Sequence, residues 1–264
     1  MKQPFFSIIV AAYNAESLIE STLLSILNQN FADYEIVVKD GGSTDATLNK
    51  IPSSDKIRVF SSRDGGIYLG MNEGITYAKG KYYCFLNCGD AFDNTEVLSS
   101  VYETAKNLDN TRNIVYGDYC RKGVRFKQPS KITSFYLYRT PLCHQTMFFG
   151  RDVFAEHGGY DTNYKILADY NHTLAAFTSG IPFVYCDAVI CNYLGGGASE
   201  SKKGIEEKEK EYQILRGKYF SKKQIRRYKM KLFFSFTKLR QKNSFGSCSV
   251  VVKETLQKSC KYNQ

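Results

Sequence analysis

Ser61-Ser62-Arg63-Asp64-Gly65-Gly66-Ile67-Tyr68-Leu69-Gly70-Met71-Asn72, followed by Phe85-Leu86-Asn87-Cys88-Gly89-Asp90, decides the fold. The first stretch puts Arg63 and Asp64 on a glycine-hinged turn that runs into a helix. Gly65 and Gly66 let the backbone approach a ligand without a Cβ clash. In the second stretch a lone carboxylate, Asp90, follows an apolar strand at the point where it stops, and open α/β sheets bind ligands at the carboxyl ends of their strands. Two more polar strand ends lie upstream, Val10-Ala11-Ala12-Tyr13-Asn14 and Lys39-Asp40-Gly41-Gly42-Ser43-Thr44-Asp45. Four such ends in one N-terminal block predict a nucleotide crevice.

The surrounding pattern agrees. The apolar run at 5–11 reads as a buried first strand. Apolar residues then recur at helical spacing over 18–29, with Asn14 available as a cap. Strands follow at 34–39, 57–60 and 82–86, interleaved with helices at 44–51, 67–78 and 95–108. This alternation predicts an α/β fold with a doubly wound, mostly parallel sheet flanked by helices. After residue 110 the rhythm changes to a hairpin over 113–119 and 124–126, strands at 146–149 and 183–186, and helices at 151–157 and 167–179.

A chain of 264 residues, 43% hydrophobic and 23% charged, has the composition of a folded protein with one large core and an appendage. Lys2 leads into a strand-like run rather than a leader peptide, and no apolar stretch approaches the ~20 residues of a membrane span. The expected location is therefore cytoplasmic. Eight cysteines without a C-x-x-C pair, beside three histidines, read as small hydrophobes rather than as zinc ligands or a disulfide framework. No G-x-G-x-x-G follows the first strand and no G-x-S-x-G exists, which argues against a dinucleotide-binding dehydrogenase and a serine hydrolase.

Charge is segregated along the chain. Residues 202–242 hold 15 Lys/Arg against 4 Glu, a net of +11, and 243–264 add +2, so 1–201 carry −3 of the total +10. Residues 216–242 hold 11 Lys/Arg and no acid, interleaved with aromatic and aliphatic side chains. A basic helix lying on an anionic membrane surface is the preferred reading. Nucleic-acid binding is the rival, and a solvated helix packed on the preceding domain is the bland alternative.

The motifs in this order, Ala12-Tyr13-Asn14, then Asp40-Gly41-Gly42-Ser43-Thr44-Asp45, then Asp64 through Asn72, then Leu86 through Asp90, resemble the family 2 glycosyltransferases with the GT-A fold. The resemblance runs over about 5–194 and implies transfer of a sugar from a nucleotide donor with inversion at the anomeric carbon. It implies a catalytic domain at 1–200, with a nucleotide-binding half at 1–110 and an acceptor-binding half at 111–200, followed by a basic helical extension at 201–264. Nucleoside contacts are implied at Tyr13, Asp40 and Asp64, with Arg63 completing the base pocket. Tyr13 is able to stack on a base and Asp40 to accept from a pyrimidine N–H, although an aspartate there also shapes Asx turns. Ala11, Asn14, Gly66, Asn72 and Asn87 join the expected nucleotide-binding set.

Asp90 is the implied anchor of a divalent cation, Mn2+ or Mg2+, bridging the donor phosphates. Two departures from the family pattern bear on it. Asn87-Cys88-Gly89-Asp90 carries one carboxylate where many relatives carry two or three, and Leu69 stands where the family has an acid. The segment Ile166-Leu167-Ala168-Asp169-Tyr170-Asn171 resembles the part of the family in which an acid opens a helix beneath the acceptor, which makes Asp169 the expected general base. The plain alternative is an N-cap aspartate. In Cys143-His144-Gln145, His144 is either a contact to diphosphate or acceptor or a structural histidine. The expected partners are a nucleotide-diphosphate sugar, with UDP as default, and a glycan or lipid-linked acceptor at the inner face of the membrane. The rivals are a nucleotidyltransferase on a similar sheet and a non-catalytic sugar-nucleotide-binding or membrane scaffold.

Overall fold

A computed structural model describes residues 3–243. In chain order the first half comprises β1 (Phe6–Ala12), α1 (Ile19–Leu27), β2 (Tyr34–Asp40), β3 (Ile57–Ser61), α2 (Ile67–Tyr77), β4 (Tyr82–Phe85), β5 (Ala91–Phe92) and α3 (Val97–Ala105). β1 runs parallel to both β2 and β4, and β2 runs parallel to β3. Side chains alternate across the sheet, and both faces of β1 are covered. Ile8 and Val10 pack with Ile19, Leu23 and Ile26 of α1. Ile9 meets α2 on the other face, where a Cβ on Gly74 would lie 2.6 Å from Ile9 Cγ2. Burying a side chain of this size contributes about 1.5–3 kcal/mol, an upper figure because the unfolded chain already hides part of that surface. The register aligns Ala12 with Asp40 and Asp40 with Ser61, so the carboxyl ends of three strands stand side by side.

The second half adds β6 (Ile114–Arg121), β7 (Val124–Phe126), α4 (Ser134–Arg139), β8 (Met147–Gly150), α5 (Arg151–His157), α6 (Ala168–Thr178), β9 (Phe183–Asn192) and α7 (Lys202–Tyr219). The sheet order is β3-β2-β1-β4-β8-β6-β9-β5, with β7 paired to β6. β8 enters antiparallel between β4 and β6, while β6 and β9 run parallel. β5 pairs antiparallel with the end of β9, which brings Leu194, two residues past β9, back to Asp90.

Several local readings change. The expected helix at 44–51 is a single 3-10 turn, Leu48–Lys50. Its would-be first turn is held by side chains instead: Asp45 accepts the N–H groups of Thr47 and Glu16, and Glu16 accepts that of Ala46. Asn14 does not cap α1, because its Oδ1 accepts the Thr44 N–H at 2.9 Å. β5 and α4 were not anticipated.

The chain divides into two compact units, Met1–Tyr219 and Phe220–Gln264. The break thus falls after α7, later than the change of charge near 200, because α7 buries Glu211 and Leu215. In the second unit α8 (Lys222–Asn243) is strongly basic and exposes Met230, Phe233 and Phe234. The part of the expected extension at 244–264, including Cys248 and Cys260, lies outside the described residues. The described cysteines are free thiols, half-buried or buried. No described helix is long and apolar enough to cross a membrane.

Candidate active site

The crevice is assembled from strand ends. Beyond β1, Tyr13 is 64% exposed, a flat ring open to solvent beside the Asp40 loop. Asn14, at φ 46°, bonds that loop through its N–H to Ser43 Oγ (2.9 Å) as well as through its side chain. Ala11, half-buried, gives its carbonyl to the Cys88 thiol at 3.6 Å, which joins the first and fourth strand ends. Asp40 is fully buried at the end of β2 and accepts from Gly42 N (3.1 Å), Ser43 N (3.1 Å), Ser43 Oγ (2.5 Å) and Ser61 Oγ (2.6 Å). Burial alone would raise its pKa; the serine hydroxyls and the two N–H groups outweigh it and hold the carboxyl below its ordinary value.

Lys39, which sequence reading passed over, points the other way with a wholly buried side chain. Its Nζ donates to Asp40 O (2.8 Å) and Ser62 O (2.7 Å) and stands 3.5 Å from Asp64 Oδ2 and 3.3 Å from Glu73 Oε2. Asp64 is thereby drawn against two glycines. A Cβ on Gly41 would lie 2.9 Å from Asp64 Oδ2, and one on Gly70 2.5 Å from it. Asp64 Oδ1 also accepts the Gly66 N–H at 3.0 Å and shapes the entry to α2. Arg63 is exposed, with its Cγ beside Gly42.

Asp90 closes a turn begun by Asn87, whose carbonyl accepts the Asp90 N–H at 3.0 Å. Only 5% of Asp90 is exposed; Oδ1 accepts the Leu194 N–H (2.8 Å) and Oδ2 accepts Gln145 Nε2 (2.9 Å). Burial pushes this carboxyl up, against the pull of those two donors. Asn87 Oδ1 is buried and without a hydrogen-bond partner. Cys88 between them has its thiol raised to about 12, by burial first and then by the charges of Asp90 and Asp40.

A chain of contacts links Asp90 to Asp169. Gln145 holds Asp90, and its neighbour His144 is hydrogen-bonded through Nε2 to Tyr160 Oη at 2.7 Å. The Tyr160 ring lies 5.7 Å from that of Tyr68, whose Oη reaches Asp169 Oδ1 at 2.8 Å and Ile166 O at 2.7 Å. Asp169 occupies the first turn of α6, where a helix favours negative charge. His144 is buried against Phe85, and burial holds its imidazole below its ordinary pKa despite the Asp169 charge. Its Nε2 is hydrogen-bonded to Tyr160, which places it within this chain of contacts. Asn72, expected among the nucleotide contacts, has both polar ends engaged within the protein. Its amide donates to Tyr160 O (2.8 Å) and accepts from Tyr160 N (2.7 Å), so both polar ends clamp backbone.

Residues 7–160 match the glycosyl transferase family 2 model. The chain belongs to glycosyl transferase family 2. This glycosyltransferase is 29% identical over 200 residues to a PGL/p-HBAD biosynthesis glycosyltransferase of Mycobacterium bovis, covering 73% of the chain and 78% of that relative. A Mycobacterium tuberculosis protein of the same name matches to the same extent. In fold it is similar to Staphylococcus aureus TarS in complex with UDP, at a TM-score of 0.62 and 19% identity, covering 83% of this chain and 67% of that one. It is also similar to a Pyrobaculum calidifontis mannosyltransferase in complex with GDP-Man and Mn2+, at a TM-score of 0.58 and 21% identity, covering 83% and 62%.

The enzyme therefore transfers a sugar from a nucleotide sugar, and the nucleotidyltransferase reading is set aside. For a divalent cation, the donor set at the end of β4 consists of hard oxygens, the Asp90 carboxylate and the orphaned Asn87 Oδ1. No group of three or more His, Cys, Asp or Glu side chains gathers as a metal cage among the described residues. A cation held by Asp90 and Asn87 would take its remaining ligands from the substrate. The contacts that sequence reading missed are those of Lys39 with Asp64, Tyr68 with Asp169 and Gln145 with Asp90. Each lay inside or beside a quoted motif, Lys39 before Asp40, Tyr68 between Asp64 and Asn72 and Gln145 after His144, but no spacing named its partner.

Proposed function

We propose that the enzyme is an inverting glycosyltransferase in which Asp169 is the general base and the donor diphosphate lies at Asp90 and Asn87. The reading is carried by the path of contacts that ties Asp90 to Asp169 through Gln145, His144, Tyr160 and Tyr68. Such a path sets the phosphate end and the base end of the crevice as one rigid piece, and fixed geometry removes much of the entropic barrier to a two-substrate reaction. Asp169 accepts the proton of the acceptor hydroxyl while that oxygen bonds to the anomeric carbon. The bond to the diphosphate breaks on the opposite face, and its electron pair leaves with the nucleotide. Asp90 and Asn87 would hold an Mn2+ or Mg2+ ion, which would supply positive charge for the departing diphosphate.

Tyr13 offers its exposed ring to the base, with Asp64 and Arg63 beside it. Asp40 shapes the Gly41-Gly42-Ser43 loop and shares its carboxylate with a base N–H when a serine hydroxyl turns away. UDP is the default nucleotide. A glycan or lipid-linked acceptor suits the basic α8, whose exposed Phe233 and Phe234 sit among lysines and arginines, a pattern suited to an anionic membrane face. Proton NMR of the first-formed product tests the stereochemistry. A product anomer opposite to that of the donor supports the reading, and a retained configuration overturns it.

A further inference from the structure

α6 begins without a cap of its own. Leu167 at its N-cap position provides no side-chain acceptor, and the N–H groups of the preceding turn have no partner within the helix. The acceptor arrives from α7. Glu211 is 4% exposed, and its carboxylate accepts Lys165 N (2.6 Å), Ile166 N (3.1 Å) and Leu167 N (2.7 Å). Three successive N–H groups thus converge on one buried carboxylate carried by α7. The same turn meets Tyr68 on its other side, since the Ile166 carbonyl lies 2.7 Å from the Tyr68 hydroxyl.

α7 is itself fixed to α6 and α4. Tyr219 Oη donates to Asn171 Oδ1 at 2.9 Å, and Lys218 Nζ reaches the same oxygen at 3.2 Å. The Arg216 guanidinium donates to Tyr138 O at 3.3 Å and lies over the Tyr212 ring at 5.0 Å. Glu211 is therefore held on both sides, and its position is transmitted to the turn that presents Asp169.

We infer that Glu211 is a positioning residue for the general base: by gathering the N–H groups of residues 165–167 it sets the start of α6, and with it the distance from Asp169 to the acceptor hydroxyl. The inference rests on the reading of Asp169 as the base. A Glu211→Gln side chain keeps the length of the arm but replaces one acceptor oxygen with a donor that faces N–H groups. The turn shifts, and a shift of about 1 Å at a reacting group costs on the order of a hundredfold in rate. Donor sites on the first four strands remain untouched.

The test is a cycle of four proteins, wild type, Glu211→Gln, Asp169→Asn and the double variant, each assayed for kcat, donor KM and unfolding temperature. Glu211→Gln should lower kcat by about tenfold to a hundredfold with donor KM within about twofold of wild type. In the Asp169→Asn background it should cost no more than about twofold, because there is no base left to misplace. Glu211→Asp, which keeps both oxygens, should recover part of the rate. If the Gln variant does not fold, Glu211→Asp enters the cycle in its place. Multiplicative losses, or a folded Glu211→Gln enzyme with wild-type kcat, overturn the inference. An Asp169→Asn enzyme that transfers at wild-type rate overturns the base reading itself, a result distinct from either.

Discussion

Tyr68 Oη stands 2.8 Å from Asp169 Oδ1, joining residues 101 positions apart, one in the first turn of α2 and the other in the first turn of α6. Burial, followed by the Asp169 charge, raises the Tyr68 pKa well above its ordinary value, so the phenol stays protonated and remains a donor. Tyr68→Phe should leave nucleotide affinity within about twofold and lower kcat by about tenfold, as expected when a hydrogen bond to a charged group is lost. Steady-state kinetics with separate donor titration checks the split. A variant with normal kcat would show that Asp169 is oriented without Tyr68.

Asp90 carries a cost that shows in stability. Its folded pKa is raised, so the protonated form is favoured in the fold. The associated stability is present below the unfolded carboxyl pKa and is lost as pH rises through the raised folded pKa. At neutral pH the ionised carboxylate is thus a burden on the ligand-free protein. Asp90→Asn removes the charge but turns an NH2 toward Leu194 N or Gln145 Nε2, so its unfolding temperature relative to wild type should be more favourable at pH 7 than at pH 4, while donor affinity weakens and the Mn2+ dependence of the rate flattens. Thermal scans at the two pH values, paired with a metal titration, check both halves. An unchanged titration curve would move the cation away from Asp90.

Gly70 lies inside α2, where alanine is ordinarily better by about 1 kcal/mol. A Cβ at Gly70 would stand 2.5 Å from Asp64 Oδ2, so the carboxylate must move off Lys39. Gly70→Ala should remain folded, with a stability change inside about 2 kcal/mol, and lose tenfold or more in nucleotide affinity. Calorimetry with UDP and Mn2+ on the folded variant measures this. Wild-type affinity would exclude Asp64 from the nucleoside contacts.

The parallel core was legible because strands covered on both faces read as continuous apolar runs, as Ile8 to Ala12 and Tyr82 to Leu86 do. The strand ends were legible because Asp40, Asp64 and Asp90 stand beside glycines within a few residues of an apolar strand. The contacts of Asn72 and His144 were not, since the partner of each is Tyr160, brought in by a loop whose path no periodicity reports. Glu211 was hidden for another reason. It sits in Lys-Lys-Gly-Ile-Glu-Glu-Lys-Glu-Lys-Glu, a run that looks solvated throughout, and only the docking of α7 singles out one glutamate for burial. The same docking moved the unit boundary from the charge step near 200 to Tyr219.

That boundary separates two truncations. A chain ending at Tyr219 should fold and bind nucleotide like the full enzyme, because every proposed contact lies before it. A chain ending at residue 201 loses Glu211 and the fully buried Leu215 and should unfold at a temperature lower by several degrees or more. Co-sedimentation with anionic vesicles at low and high salt should fall for the chain ending at Tyr219, since each basic residue near such a surface contributes about 1 kcal/mol, screened by salt. Equal sedimentation of that chain and the full enzyme would remove the membrane role of α8.

The general base is tested most directly by the single-turnover transfer rate of Asp169→Asn with donor bound at saturation. The account predicts unchanged donor affinity and a rate lower by on the order of a hundredfold or more, as for the loss of a positioned base. A variant that transfers sugar to acceptor at near the wild-type rate would contradict it.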